Sequence, residues 1–415
     1  MSGARTRSAG GASPERMVAI PAGVAAPKTT AHPGRQPAIE SLRLALVALV
    51  VAHHAVEPYA SKLARWTVLP DEPVPGLWSF LWVNAAFFMG LFFLVSGVFT
   101  PGSYDRRGPE AFLRARALRL GVPLAFGVLA LIPLQAWFHH SVYRDLPPVG
   151  YWDYFTSDFL GLSPRPADWP AAARFPDLEL GHLWFLEHLW IYAGLYALWR
   201  AFAPAPTPSR ASRPAPGNVA IAGYALALTV ATWAIRIAYP QDHWIGFLGF
   251  IQVEPAHWPQ YASLFVLGVV AGRNGWLDSM PTSRGFGWLA SGGLLSVGVY
   301  AGAALDVLPT WSSQRWLVCA WEAFLCTGFC VGLPVAFREW GGRPSRMTCA
   351  LSPDAFAVYV FHFPIVMGFQ WALIDSGLGI GVRIALTVAG GIAVSFVLAH
   401  AILRWVPGAR RVFGS

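Results

Sequence analysis

Charge is what this chain has least of. Only 13% of its 415 residues are Asp, Glu, Lys or Arg, against 55% hydrophobic, a balance that fits neither a disordered chain nor a water-soluble globule with a charged surface. Its four cysteines, Cys319, Cys326, Cys330 and Cys349, lie in or near one apolar run without a C-x-x-C. They read as small buried hydrophobes, not as a disulfide framework or a zinc site. Near its arginines there is no G-x-x-x-x-G-K-[ST] and no G-x-G-x-x-G, and the histidine-rich segment lacks H-E-x-x-H. Nucleotide hydrolysis and helical zinc chemistry therefore have no support. Ser96 lies outside any G-x-S-x-G elbow, so a serine nucleophile has none either.

What the chain has is apolar length. Mean hydropathy is +0.46, and 20 Trp, 27 Phe and 12 Tyr exceed the needs of a soluble core of this size. Ten apolar runs, near 41–57, 77–99, 120–138, 183–202, 219–239, 259–273, 285–305, 316–337, 353–374 and 380–402, are each of the order of a ~20-residue membrane helix. The expectation is an all-α polytopic membrane bundle of about ten helices, spanning 39–405, with no large soluble domain. With the N-terminus inside, 22 of the 30 Lys and Arg fall on the cytoplasmic side and 8 on the other, placing both ends in the cytoplasm. Residues 1–38, rich in Gly, Ala, Pro, Arg and Ser, read as a disordered cytoplasmic tail. Residues 203–217 read as a Pro-rich inside linker and 406–415 as a short cytoplasmic tail.

Arg43 and His54 stand eleven positions apart in the first run, three helical turns plus about 20°, so they share a face about 16 Å apart along the axis. A surface arginine would then hold the histidine about half-way across the hydrocarbon, where an ionisable group is a functional candidate by default. His53 is rotated by about 80° from that face. Glu57, one turn beyond His54, is placed to hold an imidazole in one tautomer, although Pro58 follows at once. The other reading is a histidine pair hydrogen-bonded within the bundle. Arg116 and Arg119, one turn apart at the inside edge of the third run, suit a phosphate or pyrophosphate, or are ordinary positive-inside flanks.

Gly90 and Gly97 are read as close helix contacts. His182, Trp184, Glu187 and His188 open the fourth run. The two histidines there are six apart, about 240° round a helix, and do not converge on a metal; the aromatics fit an interfacial belt, while Glu187 lies inside the span. The loop 139–181 combines Tyr143, Tyr151, Trp152, Tyr154 and Trp169 with Asp145, Asp153, Asp158, Asp168 and Asp177, a mixture suited to a sugar or to anchoring at a membrane surface. Glu322, Tyr359 and His362 complete the intramembrane polar set.

In this order these residues resemble the integral-membrane acyltransferase-3 family, over about 40–404. They are Arg43 with His54, FFLVSG at 92–97, Arg116 with Arg119, HLWFL at 182–186, and Tyr359 with His362 and Pro364. Within the family the resemblance is to the glucan-succinylating, periplasmic glucan biosynthesis protein C-like branch. It implies transfer of an acetyl or succinyl group from acyl-coenzyme A, without a metal, to a hydroxyl of a sugar or glycan across the inner membrane. His54 then maps to the catalytic histidine, as base or as acyl carrier. Arg43, Arg116 and Arg119 map to the arginines near the donor, with Glu57, His182, Trp184, Glu187, Glu322, Tyr359 and His362 as substrate-contacting or supporting groups. The competing class is a transporter or flippase for a sugar-containing or lipid-linked substrate, whose buried ionisable groups would be relays; the paired broken helices common in such proteins are not visible.

Overall fold

The structure is a computed structural model that describes residues 37–60, 68, 73–74, 76–143, 147–169, 175–203, 213–247, 251–304, 315–341 and 345–414. The expected tail at 1–38 and linker at 203–217 fall largely outside them. Among the described residues ten long helices carry the fold: α1 Pro37–Ala60, α2 Leu77–Arg107, α3 Pro109–Tyr143, α4 Trp184–Phe202, α5 Asn218–Ala238, α6 Trp258–Asn274, α7 Thr282–Ala304, α8 Arg315–Gly341, α9 Ala355–Ile374 and α10 Ile380–Trp405. A five-residue helix, α11 Ala409–Phe413, follows. Two short antiparallel strands, β1 Ile245–Phe247 and β2 Ile251–Val253, pair Gly246 with Gln252 between α5 and α6.

Each apolar run of the sequence lies on one of the ten helices. Seven are long and apolar enough to cross a membrane: α1, α2, α3, α5, α8, α10 and the run Arg346–Ile374 that contains α9. Among the other three, α6 has only 17 residues, and α7 dilutes its apolar side chains with Ser and Gly. The bundle is thus an all-α polytopic membrane fold.

Packing is closest where side chains are smallest. A Cβ at Gly97 of α2 would stand 2.2 Å from the Phe265 carbonyl oxygen of α6, and one at Gly268 would stand 2.1 Å from that of Leu94. Without Cβ atoms the two backbones come into direct contact, as small-residue stripes allow in membrane bundles. Helix α1 packs against α2, α8, α9 and α10. It buries Leu42, Leu46 and Val50 on one row and Val47, Val51 and Ala55 on the next, the i, i+4 rows of a helix enclosed by neighbours.

Prolines shape the helices that bear polar groups. In α3 two π-type turns, Ala117–Gly121 and Gly127–Leu131, end where Val122 N–H bonds Ala117 and Ile132 N–H bonds Gly127, each five residues back. Pro123 and Pro133 follow at once. Each ring lacks an N–H and crowds the turn before it, and the ladder widens to accommodate it. Arg119 sits inside the first widened turn.

Candidate active site

Pro58 in α1 has no N–H to give the carbonyl four residues back, which is that of His54. Gln370 of α9 supplies the missing donor: its Nε2 lies 2.9 Å from the His54 carbonyl oxygen and 3.4 Å from that of Ala55. Pro364 in α9 leaves the Val360 carbonyl free in the same way, and His182 Nε2 donates to it at 3.0 Å. Tyr359 O–H in turn donates to the His182 carbonyl oxygen. Two helix-interior prolines thus create the acceptors that tie α1 to α9 and α9 to the start of α4.

These bonds assemble three imidazoles. The ring centroids of His54 and His362 are 5.4 Å apart, and those of His362 and His182 are 5.1 Å apart. Phe363 lies flat on His182 and edge-on to His54. His54 Nδ1 stands 2.9 Å from Glu57 Oε2. An ionised carboxylate only accepts, so Nδ1 carries the proton and Nε2 keeps its lone pair. His362 Nδ1 faces the Tyr359 and Val358 carbonyls at 2.8 and 3.2 Å, which likewise leaves its Nε2 bare, and that nitrogen has no hydrogen-bond partner among the described residues. His182 is bare at Nδ1 for the same reason. In their neutral forms each of the three neighbouring rings keeps one nitrogen as an acceptor, so the cluster is suited to hydroxyl donors. His53 meets His54 edge-on at 5.5 Å between ring centroids but has no bond to Glu57. It lies on Phe88 of α2 at 5.1 Å between ring centroids, and its Nδ1 is without a partner among the described residues.

The arginines gather toward the other end of α1. Arg119 is close enough to Arg43 and to Arg116 for their charges to act on one another, and Arg107 joins them. Arg116 lies over the Phe112 ring at 5.1 Å, and Arg119 donates to the Gly414 carbonyl oxygen beyond α11. From Arg43 to His54 the helix rises about 16 Å.

The other candidates are engaged elsewhere. Glu187 accepts from Gln252 N–H of β2 at 3.2 and 3.3 Å, and the Gln252 side chain bridges Leu180 N–H and the Leu178 carbonyl. Trp184 stacks on Tyr261 of α6 and meets His188 and Trp244 edge-on. Glu322 forms a buried ion pair with Arg236 of α5 at 2.6 Å and accepts from Gln241 Nε2 at 3.0 Å. Between β2 and α6, burial pushes the Glu254 carboxyl up. His257 at 2.8 Å, the Asp242 N–H and Arg236 outweigh that and hold it below its ordinary value.

In the loop after α3, Tyr154 is enclosed and donates to Asp177 at 2.6 Å, and Trp169 stacks with His140. Those aromatics build the loop's own core, while Trp152 is 72% exposed. No three His, Cys, Asp or Glu side chains among the described residues are grouped to hold a metal ion.

Gln370 and Arg236 are among the partners that the sequence analysis did not name. Gln370 is a polar residue in an otherwise apolar run, and Pro58 identifies the carbonyl it serves, so a signal existed. Arg236 reads in the sequence as one more charge flanking a span, and nothing local marks it as the partner of Glu322.

No curated protein and no solved structure matches this chain. A family model does, that of the acyltransferase-3 domain, described as "Acyltransferase domain", over residues 36–402. That stretch holds all ten long helices nearly to the end of α10, together with the histidine cluster and Arg43, Arg116 and Arg119. The chain belongs to the acyltransferase-3 family and is a multi-pass membrane acyltransferase.

Proposed function

We propose that the chain is an O-acyltransferase of the glucan-succinylating kind. It takes an acetyl or succinyl group from acyl-coenzyme A held at Arg43, Arg116 and Arg119 on the cytoplasmic side of the inner membrane. It passes that group to a hydroxyl of a sugar or glycan on the outer side. One observation carries the reading: a single helix, α1, bears a member of the arginine group and, three turns away, a histidine oriented by Glu57.

Guanidinium groups fit the donor's phosphates with planar forked N–H groups. At the other end His54 Nε2 takes the proton from the acceptor hydroxyl as its oxygen attacks the thioester carbonyl. The carbon–sulfur bond breaks, and the imidazolium returns the proton to the departing thiolate. Glu57 stabilises that imidazolium, and a base so placed contributes roughly 10²–10⁴ in rate. His362 and His182 offer their bare nitrogens to hydroxyls of the incoming acceptor, with Tyr359 holding His182 in place.

Mass spectrometry of surface glycans from matched cells, without the chain, with it, and with His54→Ala, tests this. The expected result is an ester whose mass identifies the acyl group, present only with the wild-type chain. Glycans of identical mass in all three, with a sugar-linked substrate redistributed across the membrane, would favour transport instead.

A further inference from the structure

Beyond the end of α10, and beyond the residues the family model matches, the chain does not trail away. Ala409 is buried, and Phe413 packs on Phe126 of α3 and Phe361 of α9 at 6.2 and 5.3 Å between ring centroids. Helix α11 is thereby docked beside the widened turn of α3 that carries Arg119. Between them lies a cavity of about 420 Å³ lined by Arg119, Arg410, Arg411, His400 and Asp354 among others, within the usual range for a small-molecule site.

Its polar groups are unequally engaged. Asp354 is buried and accepts from His400 Nδ1 at 3.1 Å. Arg119 donates to the Gly414 carbonyl. Arg410 uses only Nε, toward the Leu403 carbonyl at 3.1 Å. Its terminal nitrogens, and the whole guanidinium of Arg411, make no hydrogen bond or ion pair among the described residues. Among the described residues that line it, three guanidinium groups therefore share this cavity with one carboxylate that is already partnered. An arrangement of this kind attracts a multiply charged anion, and forked N–H groups favour phosphate in particular.

We propose that α11 completes a second phosphate-binding basin, in which Arg410 and Arg411 hold a phosphate of the donor further from its thioester than the one met by Arg43 and Arg116, with Arg119 shared between the two. The inference rests on the acyl-coenzyme A reading above and adds to it a segment outside the family domain. A phosphate-bearing lipid headgroup has the same chemistry, so the test separates the two sources.

The full-length protein is reconstituted in nanodiscs of zwitterionic lipid, and binding of coenzyme A, of dephospho-coenzyme A and of phosphate-free pantetheine is measured. Wild type is compared with Arg410→Ala/Arg411→Ala and with Arg410→Lys/Arg411→Lys. The expected result is a loss of coenzyme A affinity of about tenfold or more in the alanine form, partial recovery with lysine, a smaller loss for dephospho-coenzyme A and none for pantetheine. The lysine form also guards against misfolding, since it keeps the stems and charges that pack α11. Unchanged coenzyme A affinity in the alanine form overturns the inference and leaves the donor reading intact, including the case in which that form loses only anionic lipid retained in nanodiscs that contain it. Failure of the wild type to bind coenzyme A at all would instead overturn the donor reading.

Discussion

At the scale of single residues, the distinction between His53 and His54 is the sharpest the structure offers. Only His54 meets Glu57 and His362, and through His362 reaches His182, whereas His53 packs on Phe88. His54→Ala is expected to abolish acyl transfer with expression and thermal stability retained, and His53→Ala to leave most of it. Glu57→Gln should lower kcat more than it raises KM, because an amide can also donate and so permits the wrong tautomer of His54. Steady-state rates on the three variants check this, and an essential His53 beside a dispensable His54 would overturn the assignment. Arg43, His54 and Glu57 were legible in the sequence because helix periodicity is local and relates them directly. His182 and His362 were legible only as polar residues inside apolar runs. That they converge on His54 depends on how α4 and α9 pack, which no spacing within either helix reveals. Glu322 and Glu187 looked alike in sequence to these, and the structure gives each a partner that satisfies it outside the histidine cluster.

At the scale of elements, helices that the sequence outlines well are joined by bonds it outlines poorly. All ten runs coincide with helices because each is a long apolar stretch between polar or Pro- and Gly-rich breaks, whereas the wide turns of α3 come from prolines inside a run that hydropathy reads as continuous. The link from α9 to α1 shows how such prolines work, and it can be tested as a cycle. Gln370→Leu strands the His54 carbonyl in the bundle, at a cost of about 1–3 kcal/mol. Pro58→Ala restores an N–H four residues on, so that α1 satisfies the carbonyl itself. The double variant should therefore recover roughly 1 kcal/mol or more of what Gln370→Leu loses, a coupling of the size seen between neighbouring residues. Thermal unfolding in detergent measures all four forms. Strict additivity would mean that Gln370 holds α9 by packing and not by serving the carbonyl that Pro58 abandons.

At the scale of the molecule, the proposed function puts donor and acceptor chemistry at opposite ends of α1, so the enzyme's sidedness decides which substrate comes from which compartment. The 22 to 8 division of Lys and Arg is the ground for expecting the arginine end in the cytoplasm under the positive-inside rule, and the geometry supplies two natural reporters. Cys349, just before α9 and next in sequence to Ala350 of the basic cavity, is the one exposed cysteine, while Cys319, Cys326 and Cys330 are buried. A membrane-impermeant maleimide should therefore leave intact cells unlabelled and label Cys349 once the cytoplasmic face is opened. Trp152 projects from the loop after α3 with 72% of its surface exposed. A Trp152→Cys, Cys349→Ser form should react in the opposite sense, from outside in intact cells. Labelling of both positions from the same side would undo the topology. It would also remove the physical basis for a donor at Arg43 and an acceptor at His54, because both substrates would then have to approach the cluster from one compartment.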